Sequence, residues 1–242
     1  MNRYDLKYNL VRFFLKAITF FFPLRPLDLN TDKFIIQPRL EGFLKEKVAE
    51  AFIKVFSERP WNENWLKEEV LAKMDRELTE NSFIVVLRGN ENFPVAGFCW
   101  GRILKVDELE THIEPALGVK PIGLENSIRK LAGKDERILY FHEFAILRQF
   151  RRGIEPLRFL LLPSLQFGWL QGVNKTLFWT SPESKIFPLS LYMGYRPILE
   201  TKAKEKKIYF MYNPDFRSLL NIAQRIKERR VAKIMRFTSV FY

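Results

Sequence analysis

One carboxylate in this 242-residue chain stands where a charge is costly. Glu143 lies in the run Ile138-Leu139-Tyr140-Phe141-His142-Glu143-Phe144-Ala145-Ile146, which is apolar apart from Glu143 and His142. Burial disfavours the charged form of a carboxyl group and raises its pKa toward neutrality, the range in which it can take a proton from an amine. After Leu147 come Arg148-Gln149-Phe150-Arg151-Arg152-Gly153-Ile154, three arginines and one glycine ahead of a long apolar stretch. A strand, a basic turn and the start of a helix form a good cradle for a pyrophosphate. Unpaired N–H groups and the positive end of the helix dipole face the anion. Arg151 and Arg152 would add charge-assisted hydrogen bonds, and Gly153 would let the backbone approach closely. A solvated basic loop is the plainer reading of the same turn.

The elements that must position these residues can be read from periodicity. Residues 34–36 form a short strand closed by Pro38. Leu44, Val48, Ala51, Phe52 and Val55 recur at helical spacing. After a break at residues 58–62, Asn62 or Asn64 is expected to cap a second helix running to Leu78, with Trp65, Val70, Leu71 and Met74 inward. Residues 82–88 and 94–104 read as a hairpin about Gly89-Asn90-Glu91-Asn92. A charged insert with weak helical signals spans 105–137. The central strand 138–146, a helix over 154–171, a strand over 175–180, a short helix over 185–193 and a hairpin pairing 195–199 with 207–212 complete the body. Strand and helix signals are mixed along one segment, so a single α/β domain is expected, a mixed, mostly antiparallel central sheet flanked by helices. Period-two alternation puts Glu143 on one face with Leu139, Phe141 and Ala145, and His142 on the other with Tyr140 and Phe144. On that pattern His142 is a core histidine. A structural role for Glu143 would be an ion pair, for instance with Arg102.

The motifs Glu143-Phe144-Ala145-Ile146, Phe150-Arg151-Arg152-Gly153-Ile154, Phe178-Trp179-Thr180 and Leu191-Tyr192-Met193-Gly194-Tyr195 together resemble the acetyl-CoA site of the GNAT superfamily of N-acetyltransferases. The element order over residues 34–212 is similar to that fold, and Pro60-Trp61-Asn62 resembles the link between the first two helices of some members. The resemblance implies acetyl-CoA as cosubstrate and direct acetyl transfer to an amine in a ternary complex. It implies Glu143 as base, with Tyr192 and Ser190 near the thiolate. It assigns the cofactor to Phe144, Ala145, Ile146, Gln149, Phe150, Arg151, Arg152, Gly153, Ile154 and Thr180. The turn departs from the family's pattern in placing Phe150 first and Glu155 last. Ser190 stands four residues before Gly194, where many members have tyrosine.

Composition sets the outer limits. Hydrophobic residues are 47% of the chain, enough to build a packed core. The single cysteine, Cys99, and two histidines exclude a cysteine zinc cluster and a multi-histidine metal site, so no metal is expected. Cys99 lies in an apolar strand and reads as packing. A formal charge of +12 suits anionic cofactors, an anionic membrane surface or nucleic acid. The chain divides into an apolar-basic extension (1–30), the acyltransferase-like domain (31–213) and a basic amphipathic helix (214–242), where residues 217–236 carry seven Lys/Arg against one acid. Each extension reads as an interfacial helix or as a helix docked on the domain. A cytoplasmic protein, with membrane association at its surface, is the expected setting. Two rivals share the fold: a non-catalytic binding module, and an acyltransferase with an aminoacyl-tRNA donor.

Overall fold

The computed structural model describes residues 34–37, 40–132, 136–151, 155–203 and 205–216. The expectations for the N-terminal extension, for the basic helix over 217–236 and for Arg152, Gly153 and Ile154 lie outside these residues.

In chain order the elements are β1 (Phe34–Gln37), α1 (Gly42–Phe56), α2 (Lys67–Glu77), β2 (Ser82–Asn90), β3 (Phe93–Lys105), α3 (Leu109–Leu117), α4 (Leu124–Ala132), β4 (Arg137–Ile146), α5 (Glu155–Leu170), β5 (Thr176–Thr180), α6 (Ile186–Tyr192), β6 (Arg196–Ala203) and β7 (Lys206–Asn213). The strands form one sheet in the order β1-β2-β3-β4-β5-β7-β6. Every pairing is antiparallel except β4 with β5. Helix α5 and α6 cover one face, packing Leu160, Leu165 and Phe187 on Phe83, Cys99, Leu139 and Phe141. The other face carries two apolar clusters. Under α1 and α2, Val48, Phe52, Val70 and Met74 meet Ile84, Val86, Phe98 and Trp100. Under α3 and α4, Ile113, Leu124 and Ile128 meet Ile138, Tyr140, Leu177 and Phe210. Among the described residues no helix is long and apolar enough to cross a membrane.

Two expectations change. The second helix begins at Lys67 rather than at Asn62 or Asn64, and its first turn is closed by Glu69, whose Oε2 accepts from the Leu66 N–H at 2.9 Å. Residues 62–66 are therefore free to form a loop. The charged insert folds into two helices, α3 and α4, anchored by Ile113, Leu117, Leu124 and Ile128.

Two features of β4 position the site. The first is a bulge. Trp100 opposes Glu143 and Gly101 opposes Phe141, so His142 is the extra residue. A bulge breaks strict alternation. Before it, Phe141 faces α5; after it, Phe144 and Ile146 do, while Ala145 and Leu147 pack under α1. His142 and Glu143 thus share the α2 side, against the expectation that they lie on opposite faces. The second feature is a short β4–β5 pairing. The register covers only Leu139 with Thr176 and Tyr140 with Leu177. Beyond Tyr140 the β5-facing edge of β4 is unpaired to that strand.

Gly101 makes the bulge sterically feasible. A Cβ built there would lie 2.2 Å from the carbonyl oxygen of Tyr140, a main-chain atom that cannot turn aside. Gly101→Ala is therefore expected to destabilise the fold by about 1–3 kcal/mol, the usual range for overpacking. Chemical denaturation measures this, and an unchanged midpoint would show that the bulge does not depend on the glycine.

Candidate active site

A buried polar cluster fills the seam between the two apolar clusters on the α1–α4 face. Its centre is Lys73, with a 5% exposed side chain on the inner face of α2. Lys73 Nζ lies 2.5 Å from Glu77 Oε1 and 3.1 Å from Glu143 Oε1. Glu77 follows one helical turn later, so both side chains leave the same face of α2. Its Oε2 accepts from Trp100 Nε1 at 2.9 Å and lies 3.4 Å from His142 Nδ1. His142 Nε2 in turn lies 3.1 Å from His112 Nε2 of α3. One chain of polar contacts therefore links α2, β3, β4 and α3. The partner of Glu143 is Lys73, not Arg102.

The electrostatics follow from burial and pairing. Burial alone would lower the Lys73 ammonium, but Glu143 and Glu77 more than offset this and hold it above the ordinary lysine range. Burial would raise Glu77, and the Lys73 ammonium together with the Trp100 N–H brings it below its ordinary value. Burial pushes His142 down to about 3, and burial with Arg102 nearby lowers His112, so both rings are neutral. Glu143 is different. Burial raises it to about 7, Lys73 opposes the rise, and the carboxylates of Glu77 and Glu63 reinforce it. One carboxyl group in the seam thus changes charge near neutral pH while its neighbours hold theirs.

Glu143 also lines a cavity of about 110 Å³ where β4 and β5 cease to pair. Phe141, His142 and Phe144 form one wall and Phe178, Trp179 and Thr180 the other, with Trp61, Met193 and Tyr195 closing it. Two larger spaces adjoin it. One of about 700 Å³ runs along Phe144, Ala145 and Ile146 to Arg59, Arg151 and Lys185. The other, of about 460 Å³, shares Trp61 and Trp179 with the cavity and reaches the β6–β7 hairpin.

The open edge of β4 offers main-chain groups. Leu147 N donates to Ala96 O at 2.9 Å. Alternation along an antiparallel pair then turns the peptide groups of Ala145 toward β3 and those of Phe144 and Ile146 toward the gap. Arg151 Nε donates to Ile146 O at 2.6 Å, and its Nη1 lies 2.9 Å from Glu58 Oε2, so this arginine is fixed at the mouth of the larger space.

The remaining candidates divide. Thr180 is buried at the end of β5 and lines the cavity. Gln149 is exposed in a short 3-10 turn and lines none of these spaces. Phe150 wedges between core clusters with its ring 6.5 Å from that of Phe93. Ser190 is buried and donates to Phe187 O at 2.7 Å, bonding back within its own helix. Tyr192 packs in the core on the α5 side and is not among the cavity's lining residues. Tyr195 lines it instead, its hydroxyl accepting from Thr176 Oγ1 at 2.9 Å. Cys99 is fully buried, and burial raises its thiol, as suits a packing residue. Lys73 and Glu77 were not singled out from the sequence, and Trp61 and Tyr195 stood only in motifs quoted for the resemblance, with no site role. The signal for the first two was an i, i+4 Lys–Glu pair on the helix face that also carries Val70 and Met74.

The element order and the parting of β4 from β5 make this a GNAT-like fold. Among solved structures the chain is similar to TofI in a ternary complex with an inhibitor and MTA, at 14% identity over 81% of this chain and 98% of that chain with a TM-score of 0.51. It is similar to arylalkylamine N-acetyltransferase 2 from Aedes aegypti, at 14% identity over 74% and 98% with a TM-score of 0.49. It is also similar to the GNAT-family acetyltransferase from Bacillus anthracis, at 11% identity over 75% and 94% with a TM-score of 0.46. At 14% identity the likeness to TofI is one of fold. No family model matches the sequence, and no curated protein does.

Removing Lys73 would leave two carboxylates in the seam without their cation. Lys73→Met is expected to cost about 3–5 kcal/mol, as for other broken buried pairs, and Lys73→Met with Glu77→Leu to cost less than Lys73→Met alone. Denaturant titration of the three proteins checks this. Equal stability of wild type and Lys73→Met would show that the cluster is solvated.

Proposed function

We propose that the protein is an acyl-CoA-dependent N-acetyltransferase that moves an acetyl group from acetyl-CoA to an amine, with Glu143 as general base. The observation that carries this reading is the position of Glu143. It is a carboxyl group tuned to about 7 that lines a cavity at the open edge of a strand.

The residues present fit the cosubstrate. A pantetheine arm, with its amides, matches the Phe144 carbonyl and the Ile146 N–H that face the gap. The diphosphate would lie toward Arg151, Arg59 and Lys185, at the far end of the 700 Å³ space. Leu157, in the first turn of α5, lines the same space, and the sequence resemblance takes its pyrophosphate site from the basic residues ahead of that helix.

The acceptor amine arrives protonated, since a free alkylammonium has a pKa of about 10.4. The ionised Glu143 takes a proton and leaves the nitrogen lone pair free to attack the thioester carbonyl. The new C–N bond forms, the C–S bond breaks, and the second proton lost by the nitrogen passes to the departing sulfur, so that CoA leaves as the thiol. An N–H of the open edge, that of Phe144, would stabilise the developing oxyanion. A thiol with an ordinary pKa of about 8.5 is a good leaving group, so the transfer does not require a phenol at position 190. In this reading Ser190 and Tyr192 shape α6 rather than donate a proton.

Calorimetry tests the cosubstrate. Micromolar binding of acetyl-CoA is expected, weakened by about tenfold in Arg151→Ala through loss of a charge-assisted contact. No binding at millimolar acetyl-CoA would contradict the proposal. For the base, the rate of acetylation of a reactive amine should rise with pH and level off above about 7, because only the ionised carboxylate accepts a proton. Glu143→Gln should lower turnover by about 10²–10⁴-fold and move the rise toward the amine's own pKa. A variant that keeps the limb near 7 would remove Glu143 from the mechanism.

A further inference from the structure

The 460 Å³ space beside the cavity has an unusual lining for a chain of net charge +12. Three indoles, Trp61, Trp65 and Trp179, surround two carboxylates, Glu63 and Glu69. Neither carboxylate has an ion-pair partner among the described residues. Glu63 Oε2 accepts from Trp65 Nε1 at 2.7 Å and Glu69 Oε2 from Leu66 N at 2.9 Å, so each keeps a second oxygen for a ligand. The one ammonium on the wall, Lys206, is held by main-chain carbonyls. Its Nζ donates to Pro60 O at 2.9 Å and to Trp61 O, which ties the loop to the β6–β7 hairpin. That ammonium also lies 6.0 Å from the Trp61 ring centre, so one indole already faces a cation. Aromatic faces and unpaired carboxylates are the groups that recognise positive charge. They oppose an acceptor with a carboxylate or phosphate at this end.

Resting on the acetyltransferase reading, we infer that the acceptor carries a second positive charge, held between these indoles and Glu63 and Glu69: it is an α,ω-diamine or longer polyamine. One nitrogen reaches Glu143 in the adjoining cavity, which shares Trp61 and Trp179 with this space. The other stays on the loop of residues 61–65. Glu63 contributes at both ends. It faces the distal cation, and its charge is among those that raise Glu143.

The probes are straight-chain α,ω-diamines of three to eight carbons, the matching monoamines and phenethylamine. Binding is read by calorimetry and by quenching of tryptophan fluorescence, with and without CoA. At least one diamine should bind about tenfold or more tighter than its monoamine, an advantage expected of a charge held by carboxylates and aromatic faces. Glu63→Gln should remove most of that advantage and Glu69→Gln part of it, the advantage being read in each variant as the ratio of diamine to monoamine affinity. Both are neutral, equal-sized changes outside the apolar core, and unaltered melting temperatures confirm that they fold. Diamines that bind no tighter than monoamines would overturn the inference, as would tighter binding that Glu63→Gln leaves intact. A diamine that binds in this way but is not acetylated leaves the cation site standing and refutes the transferase reading instead.

Discussion

The site depends on a single buried ammonium. Lys73 sits where two apolar clusters meet on one face of the sheet, and it is held there by Glu77 and Glu143. Three ionisable groups in an apolar seam would be expensive singly, and together they satisfy one another. Because Lys73 and Glu77 leave α2 and Glu143 leaves β4, the pairing fixes helix to sheet at the point where β4 stops pairing with β5. The position of the base and the packing of the domain are therefore one problem. Glu143 cannot be moved without disturbing the seam.

The bulge in β4 lets the strand serve two faces. Up to Phe141 it belongs to the sheet and packs under α5. Past His142 its side chains change sides, so that Phe144 and Ile146 still contact the α5 core while Glu143 turns to Lys73. The chain obtains this by opposing Gly101 to the bulge, where any side chain would strike the backbone. The same stretch then has no β5 partner, and its free main-chain edge becomes part of the candidate cosubstrate channel. Bulge, open edge and base occur within six residues because each follows from the same local break in regular pairing.

Much of this was legible in the sequence. The strand order of types, the two early helices and the isolation of Glu143 in an apolar run came from periodicity and burial cost. The face of His142 did not, because strict alternation contains no bulge, and only the pairing of β3 with β4 reveals one. Lys73 and Glu77 were hidden for a related reason. A Lys–Glu pair at i, i+4 usually marks a solvated helix face, and only the tertiary position of α2 turns that face inward. The acceptor side was obscured by a capping error. Assigning Asn62 or Asn64 as a helix cap put Trp65, and with Asn62 also Glu63, into α2, whereas the Glu69–Leu66 closure starts the helix later and leaves both on a loop.

The central claim is that the seam holds Glu143 as a carboxyl group that titrates near neutrality. Carbon-13 spectra of protein labelled at the glutamate side-chain carboxyl, recorded from pH 4 to 9 and assigned with Glu143→Gln, test it directly. The account predicts one carboxyl resonance that titrates with a midpoint of about 7 and is missing in the variant. A Glu143 resonance titrating at the ordinary value of about 4.3 would contradict it, because a solvated carboxylate is neither tuned by the seam nor poised to act as the base.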